Sequence, residues 1–194
     1  MESNFNELEY NGEVFNKIEG RNNEFSDLVF ENCTFNRCDF TGAIFIEATF
    51  DGCTFKECNF TLSKLDNSKL RGVLFNDCKI VGVDFTKCDT FILDFEFKNS
   101  LVQSCNFTGL KIPKTKFISC NVAGSDFMNC DLREAQFTKS SLEESIFENT
   151  NLTKADFSEA IDYTINPERN KIKKAKFSMP EVLGLLKEFN IIVK

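Results

Sequence analysis

The sequence predicts a repeat architecture wound from five-residue units, on two observations: the spacing of its phenylalanines and the spacing of its cysteines. Phenylalanine accounts for 23 of the 194 residues. Phe5, Phe15, Phe25, Phe30, Phe35, Phe40, Phe45, Phe50, Phe55, Phe60, Phe75, Phe85 and Phe95 all fall on multiples of five, and Tyr10, Leu65, Leu70 and Ile80 fill gaps in the series. A period of five matches neither the 3.6 of a helix nor the 2 of a flat strand, so a repeat is the first explanation to consider. The period resumes, offset by two residues, at Phe107, Phe117, Phe127, Phe137, Phe147, Phe157 and Phe177, with Ile112, Val122, Leu132, Leu142, Leu152 and Ile172 between them. Twenty of the 23 phenylalanines therefore share one slot, the centre of the unit.

The cysteines give the second slot. Cys33, Cys38, Cys53, Cys58, Cys78 and Cys88 lie two residues before a centre in the first register, and Cys105, Cys120 and Cys130 do so in the second. Ala43, Ala48, Ser63, Ser68, Ser125, Ala135, Ser140, Ser145, Thr150, Ala155 and Ala175 hold the same slot elsewhere. It is a place for small residues, and cysteine there reads as a small buried hydrophobe. The four-residue gap between Cys33 and Cys38 falls within the range of zinc ligands, but any five-residue repeat produces it. No metal site and no cofactor is expected. An odd cysteine count without a secretion signal points to a reducing, cytoplasmic setting with free thiols.

Composition narrows the function. The net charge of −7 and a sequence pI near 4.8 argue against nucleic acid and anionic membranes as partners. No apolar run approaches the roughly 20 residues of a membrane span, and Met1–Asn11 lacks the basic and apolar parts of a signal peptide. The chain has no histidine, the commonest general base and metal ligand. It has no Gly-rich phosphate loop, and its carboxylates follow the solvent-facing slots of the repeat. It is not expected to be an enzyme.

The clearest units are CDFTG at 38–42, CNFTL at 58–62, SDFMN at 125–129, CDLRE at 130–134 and ADFSE at 155–159. This pattern resembles the pentapeptide-repeat family over roughly residues 25–160. The resemblance implies an all-β fold, a right-handed quadrilateral β-helix with four units per coil. The centre and the small residue would point inward and the other three outward. Residues 5–177 would make about eight to nine coils, a rod on the order of 40 Å long at about 4.8 Å per coil.

Two regions depart from the repeat. The first 24 residues fit it poorly, with Gly20 in a centre slot and Glu13 in a small slot, and are expected to form an imperfect coil that caps an open sheet edge. A two-residue bulge within 89–101 is the natural source of the register slip, which falls within 89–104.

The β-helix is expected over residues 1–177 and a separate C-terminal module over 178–194. There Ser178, Pro180 and Glu181 read as the start of an α-helix, with Val182, Leu185, Leu186 and Phe189 on one face and Asn190 as its C-cap. Ile191, Ile192 and Val193 read as a short apolar strand. A proline-started helix and terminal strand resemble the C-terminal end of Qnr-type and MfpA-type quinolone-resistance proteins. That likeness implies a tail-to-tail homodimer through Val182, Leu185, Leu186, Phe189, Ile191, Ile192 and Val193.

The same resemblance implies a mimic of double-stranded DNA that occupies the DNA-binding groove of a type II topoisomerase, DNA gyrase or topoisomerase IV. Residues 121–162 carry nine acids, Asp126, Asp131, Glu134, Glu143, Glu144, Glu148, Asp156, Glu159 and Asp162, against the three bases Arg133, Lys139 and Lys154. All of these acids but Asp162 are the candidate contact residues. Qnr proteins with strong protective activity carry two projecting loops, which this sequence lacks. A general protein-interaction scaffold is the alternative.

Overall fold

The computed structural model describes residues 5–189, 191 and 192, the side chain of Glu188 excepted. Short parallel strands of two to four residues stack coil upon coil into a four-walled β-solenoid, and a short helix closes its C-terminal end. Partners on successive coils lie 20 residues apart, as in Phe15↔Phe35 and Phe35↔Phe55. Each wall is named here by its inward centres. Wall 1 carries Tyr10, Phe30, Phe50, Leu70, Ile112, Leu132, Leu152 and Ile172. Wall 2 carries Phe15, Phe35, Phe55, Phe75, Phe97, Phe117, Phe137, Phe157 and Phe177. Wall 3 runs from Gly20 through Phe40, Phe60, Ile80, Val102 and Val122 to Leu142. Wall 4 carries Phe25, Phe45, Leu65, Phe85, Phe107, Phe127 and Phe147. Walls 1 and 3 are opposite, as are walls 2 and 4.

Each slot of the unit has a physical reason. The centre ring stacks on its equivalent one coil away: Phe35 on Phe55 at 4.7 Å, Phe107 on Phe127 at 4.9 Å and Phe117 on Phe137 at 5.0 Å between centroids. Rings of adjacent walls meet edge to face, as Phe117 and Phe127 do at 5.6 Å and 89°. Both geometries suit the ring quadrupole and add about 0.5–1.5 kcal/mol per pair beyond area burial. An Asp or Asn before the centre accepts the N–H two residues on, as Asp39 does from Thr41 at 3.0 Å and Asn59 from Thr61 at 3.0 Å. This Asx turn satisfies a backbone donor at the corner. In most units the residue two after the centre takes positive φ, as Lys17 and Lys174 do, and turns the chain onto the next wall.

The small slot does more than make room. Ser63 Oγ–H donates to the Phe40 carbonyl at 2.7 Å, and Ser140 to that of Phe117 at 2.8 Å. Cys53 and Cys78 Sγ–H donate in the same way to Phe30 and Phe55, each at 3.3 Å. A thiol or hydroxyl of this size bonds the carbonyl of the preceding wall's centre on the coil below, so Cys, Ser and Thr recur there.

The N-terminal coil keeps the register: Glu9–Asn11 and Val14–Asn16 pair with Val29–Glu31 and Thr34–Asn36. Phe5 is buried across the open end, edge-on to Tyr10, Phe15, Phe25 and Phe30. Gly20 is small because a Cβ would lie 2.8 Å from the Phe40 ring and 3.1 Å from that of Phe25.

The slip is located by its hydrogen bonds. The Asp89 N–H still reaches the Ser68 carbonyl, 21 residues back, whereas that of Asp94 reaches Leu70, 24 back. Beyond it Phe75 pairs with Phe97 and Ile80 with Val102, both 22 apart. The extra residues lie in Thr90–Leu93, which interrupt wall 1 between Leu70 and Ile112. The structure corrects one assignment here. Phe95 is not a centre of the first register; it pairs with Val73 and occupies the small slot before the Phe97 centre. A large ring fits because Ile92, the next centre back in the new register, is turned outward and 49% exposed. Phe95 fills the space, 5.2 Å from Phe85 and 5.3 Å from Phe97.

The C-terminal end differs from expectation in winding. Glu181–Phe189 is a 3-10 helix, not an α-helix. The Ser178 hydroxyl accepts the Glu159 N–H at 3.0 Å, so it is committed to the coil below rather than to a capping box. Gly184 packs so closely on the last coil that a Cβ would lie 2.7 Å from the Tyr163 carbonyl. With three residues per turn, Val182 and Leu185 align, and Leu183, Leu186 and Phe189 form a separate row, so the single face expected for Val182, Leu185, Leu186 and Phe189 divides. Leu185 packs on the core, while Leu183 and Phe189 are exposed. Ile191 and Ile192 form no strand and are exposed; Asn190 and Val193 lie outside the described residues.

Replacing Phe117 by Ala should cost about 3–5 kcal/mol, the usual loss for a fully buried ring. Phe91→Ser, at a ring 85% exposed, should change stability by less than about 0.5 kcal/mol. Chemical denaturation followed by circular dichroism measures both.

Candidate functional site: a rod with opposed charged walls

The eight candidate acids do not share a face. Asp131 and Glu134 lie on wall 1, Asp156 and Glu159 on wall 2, Glu143 and Glu144 on wall 3, and Asp126 and Glu148 on wall 4. The structure thus forms a collar where the sequence suggested a patch. The cause is the repeat itself: neighbouring units in sequence sit on neighbouring walls, so acids close in sequence are dealt around the rod.

Most of the collar is already engaged. Arg133 Nη2 lies 2.7 Å from the Asp131 carboxylate and holds its pKa below the usual range. Lys154 reaches Glu134 at 3.5 Å, Arg169 reaches Glu148 at 3.1 Å, and Lys176 reaches Asp156 at 2.9 Å. Lys139 lies 3.9 Å from Glu159. Asp126, Asp131 and Asp156 also accept corner N–H groups from Met128, Arg133 and Ser158. Their acidity is therefore partly structural.

Glu143 and Glu144 are different. Both are exposed, and neither forms an ion pair or side-chain hydrogen bond with a described residue. No lysine or arginine occupies an outward slot of wall 3 from Leu101 to Ile161. The exposed side chains of Ile146 and Ile161 flank the pair, and Asp162 follows. This acid and apolar surface on walls 3 and 4 is the part of the collar left available to a partner.

The sequence reading missed two further candidates. Phe91 and Ile92 project from the bulge, 85% and 49% exposed. A groove of about 650 Å³ runs beside them along the edge shared by walls 4 and 1, lined by Asp27, Glu47, Asn67, Val29, Thr49 and Lys69 and closed by Cys88, Asp89 and Thr90. A signal was present: Phe91 falls in neither phenylalanine series.

All nine cysteines are buried and free, as their slot predicted. Burial pushes the thiols of Cys53, Cys88, Cys105, Cys120 and Cys130 up to about 12. Among the described residues no cluster of three or more Cys, Asp or Glu could hold a metal ion. No helix among them is long and apolar enough to cross a membrane.

Comparison with known proteins agrees with this construction. The model of the family described as "Pentapeptide repeat region" matches residues 28–102 and 91–157. The chain belongs to the pentapeptide-repeat family. Among solved structures it is similar to a trypsin-treated variant of QnrB1, a plasmid-mediated fluoroquinolone resistance protein. That match has a TM-score of 0.73 and 17% identity over 96% of this chain and 98% of the other. A second trypsin-treated QnrB1 variant matches with a TM-score of 0.63 and 20% identity over the same shares. HetL, a pentapeptide-repeat protein involved in heterocyst differentiation regulation in a Nostoc cyanobacterium, matches at 0.54 and 12% over 86% of this chain and 81% of its own. No curated protein sequence matches.

The thiols give a prediction. With pKa values near 12, almost no thiolate exists at pH 8, and thiolate is the reactive form. Ellman's reagent should label fewer than about one thiol per native chain within minutes and all nine after unfolding in guanidinium.

Proposed function

We propose that this chain is a DNA-mimicking protein that binds a type II topoisomerase, DNA gyrase or topoisomerase IV, and protects it from quinolones or modulates it. The observation that carries the reading is the pair Glu143 and Glu144, unneutralised on the stretch of wall 3 from Leu101 to Ile161 that holds no cation, and set on a stiff stacked core. An enzyme groove built for DNA is basic, so an acidic rod gains encounter rate and Coulomb energy there. Stiffness keeps the ordering cost of binding low. Ile146 and Ile161 supply apolar contacts beside the charges. The fold it shares with QnrB1, itself a fluoroquinolone resistance protein, supports the same direction.

A tail-to-tail homodimer belongs to this proposal. The outward row of Leu183, Leu186 and Phe189, with Met179, Ile191 and Ile192, leaves apolar surface at the C-terminal tip of the solenoid, and such surface commonly marks an interface. Two copies about a two-fold axis would match a two-fold enzyme and bind with avidity. Light scattering at micromolar concentration should give twice the chain mass for the intact protein and the monomer mass for Phe189→Asp combined with Ile191→Asp. A monomeric intact protein would contradict the dimer.

The topoisomerase reading is tested by gyrase supercoiling and ciprofloxacin-induced cleavage over a titration of the protein. One or both should change, with half-effect rising steeply as salt rises. Glu143→Lys with Glu144→Lys should weaken the effect at least tenfold, and Glu7→Lys with Glu13→Lys, exposed on the N-terminal coil, by less than about threefold. No change in either assay at tenfold excess replaces this reading with a general interaction scaffold.

A further inference from the structure

The net charge of −7 is an average over four walls that differ. Above the bulge, the outward slots of wall 1 hold Lys111, Lys114, Arg133, Lys154, Lys171, Lys173 and Lys174 against only Asp131 and Glu134. Arg133 and Lys154 are bound to those two acids. The other five lysines are exposed and form no ion pair with a described residue. They form two rows, one on the Ile112 coil and one on the Ile172 coil, three coils or about 14 Å apart at the usual strand spacing.

We propose that wall 1 above the bulge binds the phosphate backbone of duplex nucleic acid. Three features favour this occupant over a protein. Lysine is an adaptable point charge suited to phosphate. The remaining outward slots, Pro113, Asn151 and Thr153, offer no aromatic or large aliphatic anchor, whereas protein interfaces are enriched in aromatics and poor in lysine. Two cationic rows about 14 Å apart can reach phosphates on both sides of a major groove about 12 Å wide. Glu143 and Glu144 lie on the opposite wall across the packed core. A wall five residues wide, at about 3.3 Å per residue, places them beyond a Debye length of about 8 Å. A duplex at wall 1 therefore meets a local positive surface in spite of the negative total. This binding needs no topoisomerase and stands apart from the acidic walls.

The test uses the full chain and a fluorescently labelled duplex of about 30 base pairs of arbitrary sequence, followed by anisotropy at 50 mM and higher salt. Binding should be independent of sequence, with Kd within about 10⁻⁴–10⁻⁶ M, and five phosphate contacts should give a log–log salt slope of about −4 to −5. Changing Lys171, Lys173 and Lys174 together to Glu should weaken it at least tenfold. Changing Lys56, Lys64 and Lys79 to Glu makes the same change in net charge on the other three walls and should cost less than about twofold. Circular dichroism confirms folding, and Lys111→Glu with Lys114→Glu serves if the first triple variant does not fold. The proposal is overturned by no binding at 100 µM chain. Equal losses in the two triple variants, or tighter binding to polyglutamate or to vesicles containing phosphatidylserine, would overturn it too.

Discussion

The structure depends on one constraint: each centre side chain must sit on the centre one coil below. Coils cannot bury their rings alone, so stability is a sum of neighbouring interfaces. On wall 2 the aromatic column runs without a break from Phe15 to Phe177. That column sets the 20-residue register, and the register determines which surface residues are neighbours. Even the bulge obeys it. Two residues are added at Thr90–Leu93, the stack is resumed at once by Phe75 on Phe97, and Phe95 fills the space left by Ile92.

Surface electrostatics follow from the same register. Glu134 and Lys154, Lys139 and Glu159, and Asp156 and Lys176 are partners because they are 20 residues apart and share a column. Acids that look like a cluster in sequence become a collar in space, largely neutralised on walls 1 and 2. What remains is separation across the rod, lysine on wall 1 and glutamate on wall 3. Exposed single pairs of this kind contribute little stability, at most about 1 kcal/mol each. Their importance lies in which walls they leave charged.

Much of this was legible in the sequence. The phenylalanine series gave the unit, and the cysteine slot gave the inward small position, because both are dictated by packing that repeats over many coils. Phe95 was misassigned because it fits the first series numerically; only the pairing of Phe97 with Phe75 shows that the new register had already begun. The 3-10 helix Glu181–Phe189 sits where Gly184 packs against the Tyr163 carbonyl and Ser178 accepts the Glu159 N–H. Both are tertiary, and local helix signals do not report them. The charged walls were within reach: reading outward slots in steps of 20 separates Lys111, Asp131, Asn151 and Lys171 from Asn121, Ser141 and Ile161. Net charge conceals that separation.

The central functional claim is that walls 3 and 4, not wall 1, face the topoisomerase. A photo-crosslinking amino acid placed at Glu143 or at Thr153, one variant at a time, tests it in a mixture with gyrase. Both positions are on the surface of neighbouring coils, so each reports contact without disturbing the core. Crosslinks to the enzyme from position 143 and none from position 153 are the predicted result. Crosslinks from 153 alone, or equally from both, would contradict the account.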